Sequence, residues 1–188
     1  YFVSGARLSY ILGAILLGIL AVGLVIFLTQ DYRLSRITTF LSPETADQSR
    51  SFHLNQSLIA IGSGGLTGVG FGKSTTKFKF LPEPMGDSIF AVIAEELGFV
   101  GGAALTAIFL ALILRGFMIA KSSRDQFAKL TVIGFISLIA IQTFVHIAAI
   151  SGFIPLTGVP LPFISYGGTS LAVFLTMAGV IVNISRYI

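Results

Sequence analysis

The chain has 188 residues, of which 54% are hydrophobic and only 11% charged, and its mean hydropathy is +0.92. A soluble domain carries roughly 25% charged residues, so this deficit is better explained by a lipid solvent than by a large water-soluble core. The net charge of +4 is small and scattered, which argues against a nucleic-acid partner, and the lack of cysteine excludes disulfides, thiolate metal sites and a cysteine nucleophile.

The chain opens on Tyr1-Phe2-Val3, with no initiator Met and no signal-peptide pattern, and is expected to be a piece of a larger membrane protein. A helix crossing the hydrocarbon needs roughly 20 mostly apolar residues. Leu8 to Leu28 satisfies this with no charge inside. Ser88 to Leu114 is long enough but carries Glu95 and Glu96, and Leu130 to Ile154 and Ser170 to Ile188 supply two more spans. The expected fold class is therefore all-α: a polytopic transmembrane helical bundle of about four spans in one membrane domain, 1–188. A long extracytoplasmic loop with short helices, 32–87, lies within it.

Orientation follows from the short connections. Arg115, Lys121, Arg124 and Lys129 face a lone Asp125 between the second and third spans, while Gly152 to Thr169 has no charge. Basic short loops stay cytoplasmic, so both ends of the chain are expected inside and the loop from Tyr32 to Asp87 outside. Within that loop His53 to Ile61 reads as a short amphipathic helix, interfacial or re-entrant. Gly62 to Gly72 is too glycine-rich for regular structure. A nucleotide-binding reading of this stretch fails, because the phosphate-loop motif needs glycine five residues before Gly72-Lys73 and that position is Thr67. The backbone N–H groups and Lys73, Lys77 and Lys79 still suit an anion. They read either as a basic loop attracted to anionic headgroups or as contacts to a phosphate-bearing lipid.

Asp87 precedes the second span, where it reads as a helix N-cap or as a reacting carboxylate. Glu95 and Glu96 lie about 12 Å further along that helix, beneath the outer surface, where an unpaired carboxylate is costly. Gln142 and His146 fall at similar depth on one face of the third span. A Glu–His or Glu–Gln contact is expected, either as a buried brace or as a relay. In the uncharged turn Gly158 to Gly168, Ser165 and Tyr166 offer hydroxyls, but a Ser without a nearby base is no nucleophile. Neither His53 nor His146 has metal-ligand spacing, so no protein-built metal site is expected.

Three stretches resemble the SEDS family (shape, elongation, division and sporulation proteins: FtsW, RodA, SpoVE). They are Gln56 to Gly65, then Leu81-Pro-Glu-Pro-Met-Gly-Asp87 with Ile89 to Gly98, and Thr157 to Leu171. Together with the order of the spans they match the C-terminal half of such proteins. The Glu95-Glu-Leu-Gly98 run and the ending Asn183-Ile-Ser-Arg-Tyr187 lean toward the FtsW-type branch. The chain departs from the family in having Gly86 and Ser88 around the aspartate, where Thr and Phe are usual, and His146 where Asn is usual.

The resemblance implies a peptidoglycan glycosyltransferase that polymerises lipid II at the outer face of the bacterial cytoplasmic membrane, in division or elongation. A class B penicillin-binding protein would be its partner. Asp87 would be the catalytic residue, deprotonating the acceptor sugar's 4-hydroxyl, with polyprenyl diphosphate leaving under inversion. Lys73, Lys77, Glu83, Gln56 and Ser165 would bind substrate, and Glu95, Glu96, Gln142 and His146 would act as structural or relay groups. No cofactor is built in, although a divalent cation, Mg or Mn, suits the diphosphate. The fragment alone is expected to be inactive, since the family's cavity is completed by earlier spans. Two other readings stay open. One is a flippase or transporter of a lipid-linked precursor, against which the absence of repeats and midplane charge counts; the other is a non-catalytic division scaffold.

Overall fold

The computed structural model describes residues 8–28, 48–74, 76 and 84–188. The chain divides into two compact units, Tyr1–Asp47 and Gln48–Ile188. In the first, α1 (Leu8–Leu28) is a 21-residue helix with no charged residue, over the bounds its sequence suggested.

The second unit contains α2 (Gln48–Ser63), α3 (Ile89–Ser122), α4 (Gln126–Ile150) and α5 (Gly168–Ser185). By length and composition α3, α4 and α5 can each cross a membrane. Their ends differ from the sequence expectation for local reasons. α3 runs on to Ser122 because a helix has no cause to stop at the hydrocarbon edge, and its last turn carries Lys121 in the interface. α4 starts at Gln126, since the Asp125 carboxylate accepts a hydrogen bond from the Ala128 N–H at 2.9 Å. It ends at Ile150, where Gly152 turns the chain with a φ of 76°. α2 is longer than the expected short helix, with α3 as its main support.

Small clusters hold the helices together, as expected where lipid removes the hydrophobic drive and close packing must replace it. Ala60, Phe90, Ala91 and Ile150 join α2, α3 and α4 near the α3 N-terminus. Ala120, Val132 and Ile181 join α3, α4 and α5 at the other end. Between these, Ile136, Ile139 and Phe174 pack with Phe163, whose ring centroid lies 5.6 Å from that of Phe174. Phe163 has a φ of 64°, an uncommon backbone state for a bulky residue, and this packing holds it there.

α3 is broken at Gly98, which has φ 68° and ψ −167°. The break strips partners from four backbone groups, and the glycine stretch after α2 replaces them. Val69 and Gly70 donate to the Glu95 and Glu96 carbonyls, each at 3.0 Å. Phe99 and Val100 donate to the Gly65 and Leu66 carbonyls at 2.9 and 3.1 Å. Bare groups at this depth would each cost several kcal/mol. The glycines follow from the closeness of the two backbones: a Cβ on Gly64 would overlap Ala94, one on Gly68 the Glu96 carbonyl, and one on Gly98 the backbone of Leu66 and Gly68. The N–H groups of Val69 and Gly70 thus serve the helix break and not an anion.

Gly68→Ala and Gly98→Ala are expected to lower the melting temperature in detergent far more than Gly72→Ala. Gly72 has a φ of 77° but no described neighbour within 4 Å of an added Cβ, so its cost is confined to about 1–2 kcal/mol of backbone strain. Equal shifts for all three would contradict the close packing of loop and helix.

Candidate active site

Asp87 lies in the turn that leads into α3, half-buried. It is not the helix cap: that position is Ser88, whose side chain makes no capping bond. The Ser88 hydroxyl meets His53 Nε2 of α2 at 2.7 Å instead. Among the described residues the Asp87 carboxylate has no hydrogen-bond partner.

The turn is clamped from the other side of the unit. Ser165 Oγ donates to the Gly86 carbonyl at 2.8 Å and accepts from the Leu161 N–H at 2.7 Å. Next to it, the Tyr166 N–H donates to the Met85 carbonyl at 2.8 Å. Ser165 is itself buried. Its hydroxyl is committed to two backbone partners, so it braces the turn rather than facing a ligand as expected from sequence.

Opposite Asp87 stands Gly158, with φ 68°; a Cβ built on it would lie 3.1 Å from Asp87 Oδ2. The residues that follow are held by α4. His146 Nδ1–H donates to the Val159 carbonyl at 2.7 Å, and Gln142 Nε2–H to the Pro160 carbonyl at 3.2 Å. His146 is also within the electrostatic reach of the Asp87 carboxylate. The expected contact of Gln142 or His146 with Glu95 or Glu96 is therefore not formed. Counting along helices fixes depth but not direction, and these two side chains turn toward the Val159–Pro160 loop.

Glu95 is buried, and its carboxylate accepts hydrogen bonds from Ser74 Oγ at 2.5 Å, Thr76 Oγ1 at 3.0 Å and the Thr76 N–H at 3.4 Å. It straps the end of the glycine stretch to α3. Glu96 is also buried. Beside this strap lies a cavity of about 550 Å³ whose lining includes Gln56, Ser63, Lys73, Thr76 and Glu95. Two of the expected substrate contacts, Gln56 and Lys73, thus converge here and not on Asp87. The two places adjoin through α2, since Gln56 follows His53 by three residues, about one turn. Lys77 and Glu83 lie outside the described residues. Among the described residues no three of His, Asp and Glu converge to hold a metal ion.

His53 and Gly158 stand beside Asp87 unforeseen. His53 reaches Ser88 across 35 positions of sequence, which no local pattern encodes. Gly158 carried a weak signal, as a glycine opening a turn between two spans.

The profile of the cell cycle protein family FtsW/RodA/SpoVE matches residues 1–188. The chain belongs to that family. Among FtsW/RodA/SpoVE relatives, stage V sporulation protein E of Bacillus subtilis is 46% identical over 187 residues, covering 99% of this chain and 50% of that protein. A probable peptidoglycan glycosyltransferase FtsW of Geobacter metallireducens is 40% identical, over 98% of this chain and 49% of that one. The Escherichia coli peptidoglycan glycosyltransferase MrdB is 41% identical, over 86% and 44%. The chain thus spans about half the length of the curated relatives it matches.

Two solved structures share the fold. One is described as showing the structural coordination of polymerization and crosslinking by a peptidoglycan synthase complex. It matches with a TM-score of 0.67 and 25% identity, over 91% of this chain and 48% of that one. The other, a mutant of the Thermus thermophilus rod shape determining protein RodA, gives 0.53 and 32%, over 69% and 39%. Family and helices together make this a multi-pass membrane protein.

Ser165→Ala is expected to leave the Leu161 N–H and the Gly86 carbonyl without partners, at about 1–3 kcal/mol for each buried group. The readout is a fall in melting temperature of the purified protein. An unchanged melting temperature would show that the Asp87 turn does not depend on this hydroxyl.

Proposed function

We propose that the full-length protein carrying this chain is a peptidoglycan glycosyltransferase, polymerising lipid II at the outer face of the bacterial cytoplasmic membrane, with Asp87 as its catalytic base. The observation that carries the reading is the Asp87 carboxylate itself. It is half-buried, without a described hydrogen-bond partner, and sits on a turn fixed by the Ser165 and Tyr166 bonds. A carboxylate that only capped α3 would spend its oxygens on the helix N–H groups.

In this reading Asp87 accepts the proton of the acceptor's 4-hydroxyl as that oxygen bonds to the donor's anomeric carbon. The bond from that carbon to the diphosphate oxygen breaks, the configuration inverts, and polyprenyl diphosphate leaves with the electron pair. Negative charge develops on the leaving group, and a fixed cation stabilises it in the transition state. Lys73, exposed at the neighbouring cavity, is assigned that role, with Gln56 as a polar contact. A divalent ion would arrive with the diphosphate.

The basic groups support the orientation. Arg115 and Lys121 belong to the end of α3 opposite Asp87, so cytoplasmic cations put Asp87 outside. A class B penicillin-binding protein is the proposed partner, in keeping with the synthase complex among the structural matches. A transporter reading has less support, because Glu95 is tied to Ser74 and Thr76 and not presented to a path across the bilayer.

The test is polymerisation of purified lipid II by the full-length protein and its Asp87→Ala variant. The variant is expected to lose glycan synthesis by at least a hundredfold, in the range that general acid–base groups contribute, while keeping its melting temperature. Glycan synthesis at the normal rate would overturn the assignment.

A further inference from the structure

Three features near Asp87 are not used by the proton transfer: Gln142, His146 and the sharp turn at Gly158. Gln142 and His146 are four residues apart on α4 and therefore share a face. Each gives one N–H to one of two successive carbonyls, Val159 and Pro160. The residue just before those carbonyls is Gly158, which faces Asp87 so closely that a Cβ on it would lie 3.1 Å from Oδ2. The segment lies between α4 and α5 in neither helix nor strand.

His146 is 1% exposed. A carbonyl can only accept, so the bond to Val159 fixes the proton on Nδ1. The other ring nitrogen, Nε2, is buried without a partner among the described residues, as is Thr143 Oγ1 one turn earlier. An unpartnered buried ring nitrogen is costly, so the ring is not there to build a network. What it delivers is the single Nδ1–H.

Resting on the assignment of Asp87 as base, we infer that His146 and Gln142 are positioning residues: a two-point clasp that holds the Val159–Pro160 segment so that Gly158 walls one side of the Asp87 carboxylate. The wall limits the carboxylate to orientations facing the acceptor hydroxyl. Orientation of this kind acts on the chemical step more than on binding, and small misplacements of a reacting group cost large factors in rate. Neither side chain needs to touch substrate.

The inference specifies which part of His146 matters. An asparagine amide nitrogen sits at about the same reach from the backbone as histidine Nδ1, so His146→Asn keeps the donor and discards the rest of the ring. His146→Ala discards both.

The experiment measures lipid II polymerisation over a range of substrate concentrations, with the full-length protein and the variants His146→Ala, His146→Asn, Gln142→Leu and Asp87→Ala, with a melting temperature for each. His146→Ala is expected to lower kcat at least tenfold with KM within about twofold, and His146→Asn to return kcat to within about threefold of the starting protein. Gln142→Leu, which removes the weaker donor alone, is expected to lower kcat several-fold with KM unchanged. It carries the test if His146→Ala does not fold. Normal kcat in His146→Ala or Gln142→Leu, with Asp87→Ala inactive, overturns the clasp and leaves the catalytic base standing. A folded His146→Asn no better than His146→Ala overturns the role of the Nδ1 donor. Activity in Asp87→Ala overturns the base assignment itself, whatever the clasp variants do.

Discussion

The break in α3 at Gly98 is the constraint from which the rest of the second unit follows. A helix interrupted within a membrane leaves backbone groups that lipid cannot satisfy. Here the Glu95 and Glu96 carbonyls and the Phe99 and Val100 N–H groups are all taken up by residues 65–70. That stretch must approach the helix at backbone distance, which is why Gly64, Gly68 and Gly98 admit no side chain. Once it is seated, Ser74 and Thr76 fall onto the Glu95 carboxylate, and Lys73 is left at the cavity mouth. α2, which leads into the stretch, is laid along α3 and brings His53 onto Ser88.

The Asp87 turn is fixed from the opposite direction by the segment between α4 and α5. Ser165 and Tyr166 hold its backbone, while α4 holds the irregular segment that faces its carboxylate. Asp87 is thus carried on a short turn that leads directly into α3 and is bonded to the segment just before α5. This arrangement suits the proposed base, because orientation set in advance need not be found during the reaction.

The helices were legible because lipid imposes a simple rule: long apolar runs must be helical, and α1, α3, α4 and α5 all arise from such runs. Their ends were less so, since α3 continues into the interface and a cap at Asp125 starts α4 early. Asp87 stood out through family resemblance, whereas its surroundings did not. The bonds that make the site join Ser165 to Gly86 across 79 positions and His53 to Ser88 across 35. Glu95 shows the limit most clearly. Its burial followed from depth along α3, but its partners, Ser74 and Thr76, depended on a helix break that brings an irregular segment alongside. Ser165 looked like a ligand contact because hydroxyls in a turn often are; only its two backbone partners reveal the brace.

The central claim is that the chemistry occurs at the Asp87 carboxylate where it faces Gly158. The direct measurement is the rate of lipid II polymerisation by Gly158→Ala in the full-length protein, beside Gly179→Ala. A methyl group at Gly158 would stand 3.1 Å from Asp87 Oδ2, whereas one at Gly179 of α5 meets no described neighbour within 4 Å. The account predicts at least a tenfold loss of rate for Gly158→Ala in protein that remains folded, and a near-normal rate for Gly179→Ala. A normal rate in Gly158→Ala would contradict it.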